Sequence, residues 1–462
     1  MANRASVEGR QMDKKFRDYD PDQPYLLPPS PKDWLPDDHL VHFIADVVEV
    51  FDLKAIFASY RSRSGRPPYH PRLMVGLWLY AYCVGVRSSR KLEKAAYEDI
   101  ALRYLAGDQQ PDHWTLSEFR RRHSKALGEL FVQTVKLAAH AGLVKLGHVA
   151  IDGTKIKANA SKHKAMSYKR MVEEERRIRT EIEEYFKDVD AADNEENLRH
   201  GDRRGDELPE HLQSAPKRLK AIQDAKKALE EEARERCRAE QEERRKKAEA
   251  EGRQYHPRKD AEEAVPSPKA QRNFTDPESR IMPNSDKAFN QSYNGQIAVD
   301  AETQVIVAAE LTNQSADAPH LPSLIDQVAE NTGSYPEELS GDAGYWSEAN
   351  IEKLEECGVE AFIPAQRVHH STWRKMGSPK GRIPRNATKA QLMMRKLFTK
   401  RGRARYALRQ QSVEPVFGQT KEARGLRQFL HRGREKNEAM WLLDCAAHNI
   451  LKIFRAGFKL KY

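Results

Sequence analysis

The chain has 462 residues, of which 39% are hydrophobic and 8% are aromatic. A chain of this length and composition can bury a sizeable core, and we expect it to divide into two or three domains. It has no run of about 18 apolar residues and no apolar leader at its start, so we expect no membrane span and a soluble, intracellular protein. The four cysteines stand far apart without a Cys-x-x-Cys pair, which argues against a zinc site or a disulfide framework.

Charge is distributed very unevenly along the chain. With Lys and Arg counted as +1 and Asp and Glu as −1, the charge is +5 for residues 1–160, 0 for 161–260, −14 for 261–360 and +19 for 361–462. Residues 361–413 contain no acidic side chain. Such a stretch repels itself unless a polyanion lies against it, which favours a nucleic-acid backbone as the partner. A disordered, solubilising segment is the alternative that composition leaves open.

The N-terminal part of the sequence predicts a tail followed by a helical domain. Residues 1–37 are polar and rich in proline, and we expect them to form a flexible tail. Residues 38–145 carry apolar residues at helical spacing and no convincing strand, so we predict an all-α domain. Thr115 and Glu118 form a capping-box pattern that starts a helix. The basic run that follows consists of Arg120, Arg121 and Arg122. Another helix is predicted to begin near Ser89, with Arg90 and Lys91 in its first turn. Short helices with polar, basic first turns approach DNA phosphates in helix-turn-helix modules, although solvated helix faces explain these residues equally well.

The first strand of a second domain is predicted at residues 148–157, where β-branched residues alternate and Asp152 lies inside the run. Residues 161–264 are rich in Glu, Lys, Arg, Ala and Leu, and they predict two solvated helices at 168–189 and 216–254. We assign this long segment no chemistry. It is compatible with a spacer, a contact to the DNA backbone or a dimerisation arm.

Strands and helices alternate after residue 265. We predict strands at 293–300 and 305–311, a helix at 321–331, a strand at 339–343, a helix at 347–357 and a strand at 359–364. This order is that of a ribonuclease H-like α/β domain formed by residues 146–160 and 265–462. Its first strand is followed by the long helical insertion at 161–264. An amphipathic helix at 439–458 is expected to pack on the sheet.

Three carboxylates stand out. Asp152 lies within a strand, where a lone ionised carboxylate is costly to bury. Asp342 follows a strand and stands between Gly341 and Gly344, which leave room for a substrate backbone. Either aspartate alone is more often a turn former or a helix cap. With Glu414 they supply the hard oxygen ligands that bind Mg²⁺ or Mn²⁺ beside a phosphate, where two ions can clamp the attacking and leaving oxygens of phosphoryl transfer.

The segment around Glu414 carries the most specific motif of the chain. Tyr406, Glu414 and Lys421 stand at the positions of the Tyr-Arg-Glu-Lys signature of DDE transposases from bacterial insertion sequences, which this segment resembles. The segment Val-Glu-Pro-Val-Phe-Gly resembles the corresponding segment of transposases from the eleven-eighty-two-like branch of the IS-four and IS-five group. The family's arginine usually stands four positions before the glutamate, where this chain has Gln410, and the nearest arginine is Arg409. Further stretches that agree are residues 151–154, 275–280, 293–296, 341–345 and 445–449.

The resemblance implies two different roles for these residues, metal binding and DNA binding. The ligands of two Mg²⁺ or Mn²⁺ ions would be Asp152, Asp342 and Glu414. The contacts to DNA near the scissile phosphate would be Tyr406, Arg409 and Lys421. In such enzymes water attacks the phosphate at the end of the element, and the released 3′-hydroxyl attacks target DNA. The implied partner is double-stranded DNA, and because two ends must be joined we expect a homodimer on DNA in the cytoplasm, associated with the nucleoid.

Two other functions remain open at this point. A nuclease of the same fold would use the same carboxylates without joining DNA, and a DNA-binding protein that has lost catalysis would need none of them. Pro415 adds a structural expectation, because it lacks the amide hydrogen of a helix and restricts the residue before it. We therefore predict that a helix begins or kinks at this proline.

Overall fold

The computed structural model describes residues 30–60, 67–197, 214–257, 260–284, 288–367 and 377–460. Most of the expected tail therefore lies outside the described residues. Among the described residues before 145, the regular elements are all helices, as the sequence predicts. These are a 3₁₀ turn at Pro31–Trp34 and the helices α1 (Leu40–Val50), α2 (Lys54–Ala58), α3 (Pro71–Cys83), α4 (Ser89–Glu98), α5 (Ile100–Leu105), α6 (His113–Arg122) and α7 (Ser124–His140). Helix α3 is buried almost throughout and carries the fully buried Trp78.

The start of α6 differs from the sequence prediction. The side chain of Asp112, not Thr115, caps the helix, and its Oδ1 accepts a hydrogen bond from the amide of Thr115 at 2.7 Å. An aspartate cap satisfies a free amide and also places negative charge at the positive end of the helix dipole. The prediction that the helix begins at Thr115 is therefore wrong. The basic run 120–122 lies in the last turn of α6, because this helix ends at Arg122.

A mixed six-stranded sheet forms the core of the second half. The strands of this sheet are β1 (His148–Lys157), β4 (Arg280–Pro283), β5 (Phe289–Asp300), β6 (Ile306–Thr312), β7 (Glu338–Ser340) and β8 (Glu360–Phe362). A separate two-stranded sheet consists of β2 (Ala165–Ser167) and β3 (Gln271–Asn273). The main sheet has the order β4-β5-β1-β7-β8, and β6 pairs with β5 on the same side as β4. Strand β1 runs antiparallel to β5 and parallel to β7, which in turn runs parallel to β8. This is the arrangement expected of a ribonuclease H-like sheet.

The remaining helices are α8 (Tyr168–Asn197), α9 (Ala215–Ala250), α10 (Leu321–Thr332), α11 (Glu348–Glu356), α12 (Lys389–Leu397), α13 (Lys400–Gly418) and α14 (Arg434–Arg455). Helices α8 and α9 pack on each other as predicted and share a small apolar cluster of their own that includes Met171, Ile178 and Ile222. The centre of the predicted break between them lies outside the described residues. Among the described residues, no helix is long and apolar enough to cross a bilayer.

Pro415 lies inside α13, so of the two predicted alternatives the one in which a helix begins at Pro415 is wrong, and a kink there stays a prediction. The helix continues to Gly418 and passes into a π-helical turn at Gln419–Ala423. A proline removes the hydrogen bond that its amide would donate to the carbonyl four residues earlier. Here that carbonyl belongs to Gln411, and it accepts a hydrogen bond from the side-chain amide of Gln304 at 3.0 Å. A neighbouring element thus satisfies the acceptor that Pro415 leaves free.

Helix α14 joins the helical part to the sheet. It packs on α3, α7 and β6, and its Trp441 side chain lies against Gly295 of β5. Asp444 of the same helix is completely buried and pairs with Arg87, from the loop before α4, and with Arg424 at 3.2 Å. One buried carboxylate therefore connects three separate segments of the chain.

Candidate active site

Asp152 and Asp342 reach one edge of the sheet from two neighbouring strands. The parallel pairing of β1 with β7 ends at Ala150 opposite Ser340. Asp152 lies two residues after Ala150, and Asp342 lies two residues after Ser340. Because side chains alternate with a period of two along a strand, residues at equal distances beyond a paired position start out on the same face. The register therefore brings the two aspartates to the same edge of the sheet.

Asp152 is held by two hydrogen bonds and is largely buried. Its Oδ1 accepts from the amide of Gly153 at 2.8 Å, and its Oδ2 accepts from the guanidinium of Arg409 at 2.6 Å. Burial raises the pKa of this carboxyl to about 6, Arg409 counteracts the shift, and the negative charges of Asp342 and Asp317 add to it. A positive charge at this position would favour the ionised form of Asp152.

Asp342 caps a single 3₁₀ turn at Ala343–Tyr345. Its Oδ1 accepts from the amide of Gly344 at 2.8 Å. The capping geometry fixes the side chain at the end of β7, where it is half-buried. Of the two glycines that the sequence analysis singled out, Gly344 thus donates its amide to the carboxylate. Gly341 lies against the side chain of Ile151 on β1.

Glu414 stands apart from the two aspartates. It lies on the exposed side of α13, the helix that packs across β1 and β7. Its negative charge is one of those that keep the pKa of Arg409 above its ordinary value, against the opposing effect of burial. Within the described part of the chain, no three His, Cys, Asp or Glu side chains come close enough together to hold a metal ion. The structure thus gathers two of the three predicted carboxylates, and the charges of all three act on Arg409.

The carboxylates nevertheless have the chemistry that Mg²⁺ or Mn²⁺ requires. These hard ions prefer oxygen ligands, and Asp152 and Asp342 offer oxygens from adjacent strands. Burial, with a smaller contribution from the negative charges of Asp342 and Asp317, raises the pKa of Asp152, and Arg409 counteracts this shift only in part. A divalent ion would supply the missing positive charge. The residues present therefore fit a divalent metal ion.

The other residues of the Tyr-Arg-Glu-Lys motif surround this pair. Tyr406 is half-buried, with its ring 6.0 Å from the Arg409 guanidinium carbon, and burial raises the pKa of its hydroxyl. Lys421 lies in the π-helical turn, where its Nζ donates to the carbonyl of Lys155 on β1 at 3.0 Å. Burial lowers the pKa of Lys421. The contact to β1 holds this lysine beside the strand that carries Asp152.

The basic run at the end of α6 behaves differently from the prediction. Arg120 is 6% exposed, its guanidinium lies 4.1 Å from the centre of the Trp78 ring, and it donates to the carbonyl of Arg87 at 2.7 Å. A buried and bonded guanidinium cannot reach a phosphate, so we correct the assignment of Arg120 as a DNA contact. Arg121 and Arg122 are exposed at the surface.

Part of the basic stretch is neutralised within the molecule. Lys389 pairs with Glu352 and Glu355 of α11, and Arg401 pairs with Glu338 and Glu360. The acidic block of the sequence therefore neutralises part of the charge of the basic block. Exposed cations of the same stretch without a described ion pair include Arg382, Arg385 and Lys400. Residues 368–376 of this stretch lie outside the described part.

A buried polar group lies on β5 within residues 293–296, a stretch that the sequence resemblance included without giving Asn294 or Gln296 a role. Asn294 and Gln296 point inward from β5, opposite Lys155 and Gly153 of β1, and both are completely buried. Their amides donate to the Oδ1 of Asp317, a residue of the loop after β6. Polar residues alternating within an otherwise apolar strand were a signal that could have revealed Asn294 and Gln296. Asp317 belongs to no pattern that would have singled it out.

Comparison with known proteins identifies two segments of the chain. Residues 29–122 match the family described as "Transposase domain (DUF772)", and residues 264–450 match the family described as "Transposase DDE domain". Asp342 and Glu414 lie inside the second segment, whereas Asp152 lies in neither. No curated protein and no solved structure matches the chain.

Proposed function

The chain matches two transposase domain families. We propose that it is a DDE transposase that cuts DNA at the ends of its element and joins these ends to target DNA. One observation carries the proposal. Asp152 and Asp342 meet at equal distances beyond paired positions of two parallel strands, in a sheet that the DDE-domain match largely covers. The match also contains Glu414, on a helix that crosses the same strands. We also propose that the chain belongs to the eleven-eighty-two-like branch, because the sequence around Glu414 resembles that branch.

The proposed metal ligands are Asp152, Asp342 and Glu414, for two Mg²⁺ or Mn²⁺ ions. When bound, such ions lower the pKa of water and stabilise the charge that develops on the attacking and leaving oxygens. For Glu414 to join the aspartates, its side chain has to turn inward, and the guanidinium of Arg409 has to leave the Oδ2 of Asp152. Arg409 would then be available to a DNA phosphate close to the aspartates.

The motif residues would hold the DNA beside the carboxylates. Tyr406 and Lys421 flank Arg409 and β1, so a phosphate at the aspartates would lie within reach of a hydroxyl, a guanidinium and an ammonium group. Arg121 and Arg122 are the exposed basic residues of α6. To contact the DNA backbone, Arg121 would have to leave Glu118, and Arg122 would have to leave the carbonyl of Ser59. Such contacts position DNA without reading its sequence.

The proposed domain organisation follows the same division. Residues 38–145 would bind DNA, residues 146–160 and 265–462 would form the catalytic domain, and residues 161–264 would be an insertion. The proposed partner is double-stranded DNA, both element ends and target. We propose a homodimer on DNA, since two ends have to be joined, acting in the cytoplasm at the nucleoid.

The proposal is tested with purified protein and labelled DNA that carries the sequences flanking its own gene. Wild type is compared with Asp342→Asn, which keeps the size of the side chain and removes its charge, and with Asp326→Asn as the control. Asp326 is a half-exposed residue of α10 that pairs with Lys353 on the protein surface. We expect cleavage that depends on Mg²⁺ or Mn²⁺ from wild type and from Asp326→Asn, and DNA binding without cleavage from Asp342→Asn. Equal cleavage by all three proteins would contradict the proposal, and cleavage without joining would favour the nuclease.

A further inference from the structure

We propose that Asp317 is a fourth acidic residue of the catalytic centre, and that its Oδ2 is a ligand for the divalent ion held by Asp342. The inference rests on the proposed function. It does not follow from the three-carboxylate motif, which does not include this residue. Asp317 stands between β6 and the 3₁₀ turn Ala318–His320, far in sequence from Asp152 and Glu414.

One oxygen of Asp317 is anchored by three donors. Its Oδ1 accepts from the amide of Gln296 at 2.7 Å, from the amide of Asn294 at 2.8 Å and from the ammonium group of Lys155 at 3.2 Å. The two amides project from the buried face of β5 and are themselves completely buried. Such partners fix the orientation of a carboxylate before any ligand arrives, as outer hydrogen bonds do at metal sites.

The other oxygen faces Asp342. A Cβ atom built on Gly344 would lie 3.1 Å from the Oδ2 of Asp317 and 2.8 Å from the Oδ1 of Asp342. Both carboxylate oxygens thus border the same small space, which exists because residue 344 has no side chain. The side chain of Asp317 is 22% exposed, so this space is reachable from solvent.

The same carboxylate also borders the residue next to Asp152. A Cβ atom on Gly153 would lie 2.9 Å from the Oδ1 of Asp317. Gly153, next to Asp152, and Gly344, two residues after Asp342, therefore both leave room for the carboxylate of Asp317. Asp317 thus lies near both aspartates, although in the described part of the chain the three carboxylates are not close enough together to hold one ion. Glu414 lies on the exposed side of α13.

A second observation at this place points to a missing polar partner. The Oδ1 of Asn294 is buried and has no hydrogen-bond partner among the described residues. It lies 3.0 Å from the Cβ position of Gly153, beside the anchored oxygen of Asp317. Buried acceptors are normally satisfied by a donor, a water molecule or an ion. An unsatisfied amide oxygen next to a carboxylate with one free oxygen is the environment of a hydrated cation.

The test measures metal binding in the absence of DNA. The rise in unfolding temperature on adding saturating Mn²⁺ and the Mn²⁺ dissociation constant are determined for wild type, Asp317→Asn, Asp342→Asn and the control Asp326→Asn. We expect Asp342→Asn to abolish the response, Asp326→Asn to leave it unchanged, and Asp317→Asn to weaken Mn²⁺ binding by about 10- to 100-fold, as for lost partners at metal sites.

The outcomes separate this inference from the proposed function. If Asp342→Asn abolishes the Mn²⁺ response and Asp317→Asn does not change it, Asp317 is not a ligand and the proposed function stands. If Asp342→Asn binds Mn²⁺ like wild type, the proposed metal site itself is overturned, and Asp317 with it. A purely structural Asp317 would lower the metal-free unfolding temperature and leave the rise with Mn²⁺ intact. Should Asp317→Asn not fold, Asp317→Ser, which retains a smaller acceptor for Gln296, provides the same readouts.

Discussion

The guanidinium of Arg409 donates to the Oδ2 of Asp152 at 2.6 Å across 257 residues of sequence. This ion pair occupies the oxygen of Asp152 that a divalent ion would need. Arg409 is itself largely buried, and its exposed side-chain fraction is 13%. Metal binding and the Arg409 contact are therefore expected to exclude each other at this oxygen.

Replacing Arg409 by glutamine should strengthen Mn²⁺ binding to the protein without DNA, because the competing cation is removed. We expect a several-fold lower Mn²⁺ dissociation constant, which corresponds to about 1 kcal/mol of binding free energy. Isothermal titration with Mn²⁺ measures it. Arg405→Gln is the matched control, since Arg405 lies on the same helix but pairs with Glu338. Unchanged or weaker Mn²⁺ binding by Arg409→Gln would show that the arginine does not compete with metal.

The pKa of Asp152 makes a prediction about stability and pH in metal-free protein. The pKa of Asp152 is about 6 in the folded state, against an ordinary value of 3.8. Between these values the folded state binds a proton that the unfolded state has released, so this group lowers stability as pH rises through the window. Asp152→Asn lacks the penalty. Its unfolding free energy relative to wild type should therefore increase by about 1–3 kcal/mol from below the window to above it.

Urea unfolding in the presence of a chelator, at acidic and at neutral pH, checks this prediction. Asp326→Asn serves as the control for losing one carboxylate at an exposed position. A difference between Asp152→Asn and wild type that stays constant with pH would contradict a raised pKa for Asp152. A difference that falls as pH rises would indicate that Arg409 dominates over burial.

Much of the fold followed from local sequence patterns. Alternation of β-branched residues predicted β1 with its observed ends, and the β5–β6 hairpin and helix α10 were predicted within a few residues. These elements are determined by their own apolar faces, which a sequence displays directly. Asp152 and Asp342 were grouped from the sequence by their metal-binding chemistry and by the resemblance, whereas the parallel pairing that brings them together is seen only in the structure.

Contacts between distant segments could not be predicted in this way. The path of α13 through Pro415 depends on Gln304, which satisfies the carbonyl that the proline leaves free. The burial of Arg120 depends on Trp78 of another helix. Asp317 has no neighbouring motif at all. In each case the deciding partner lies far away in sequence, and periodicity carries no information about it.

The buried cluster around Asp444 should be important for stability. Burial alone would raise the pKa of Asp444, but Arg424 and Arg87 keep it below its ordinary value. Asp444→Ala would leave two buried guanidiniums without their carboxylate, and removing one partner of a buried pair costs about 3–5 kcal/mol. Chemical denaturation measures the loss. The exposed pair broken by Asp326→Asn should cost no more than about 1 kcal/mol. Similar values for both variants would rule out a structural role for the cluster.

Gly153 should not tolerate a side chain. A Cβ atom there would lie 2.4 Å from the Nε2 of Gln296, so alanine has to displace the amide that anchors Asp317. We expect Gly153→Ala to lower the unfolding temperature and to weaken Mn²⁺ binding. Gly147→Ala is the control, because a Cβ atom at Gly147 meets nothing within 4 Å. Normal Mn²⁺ binding by Gly153→Ala would show that the polar group beneath the aspartates has no part in the site.

The most direct test of the transposase assignment is the joining of a pre-cut end. Labelled DNA with a free 3′-hydroxyl at the element's end is incubated with supercoiled plasmid and Mn²⁺, with wild type, Glu414→Gln and Glu422→Gln. Both glutamates are exposed, and Glu422, which pairs with Arg427, is not one of the proposed metal ligands. The account predicts that wild type and Glu422→Gln insert the label into the plasmid and that Glu414→Gln does not. Insertion by Glu414→Gln at the wild-type level would contradict the assignment of the third carboxylate and with it the proposed catalytic centre.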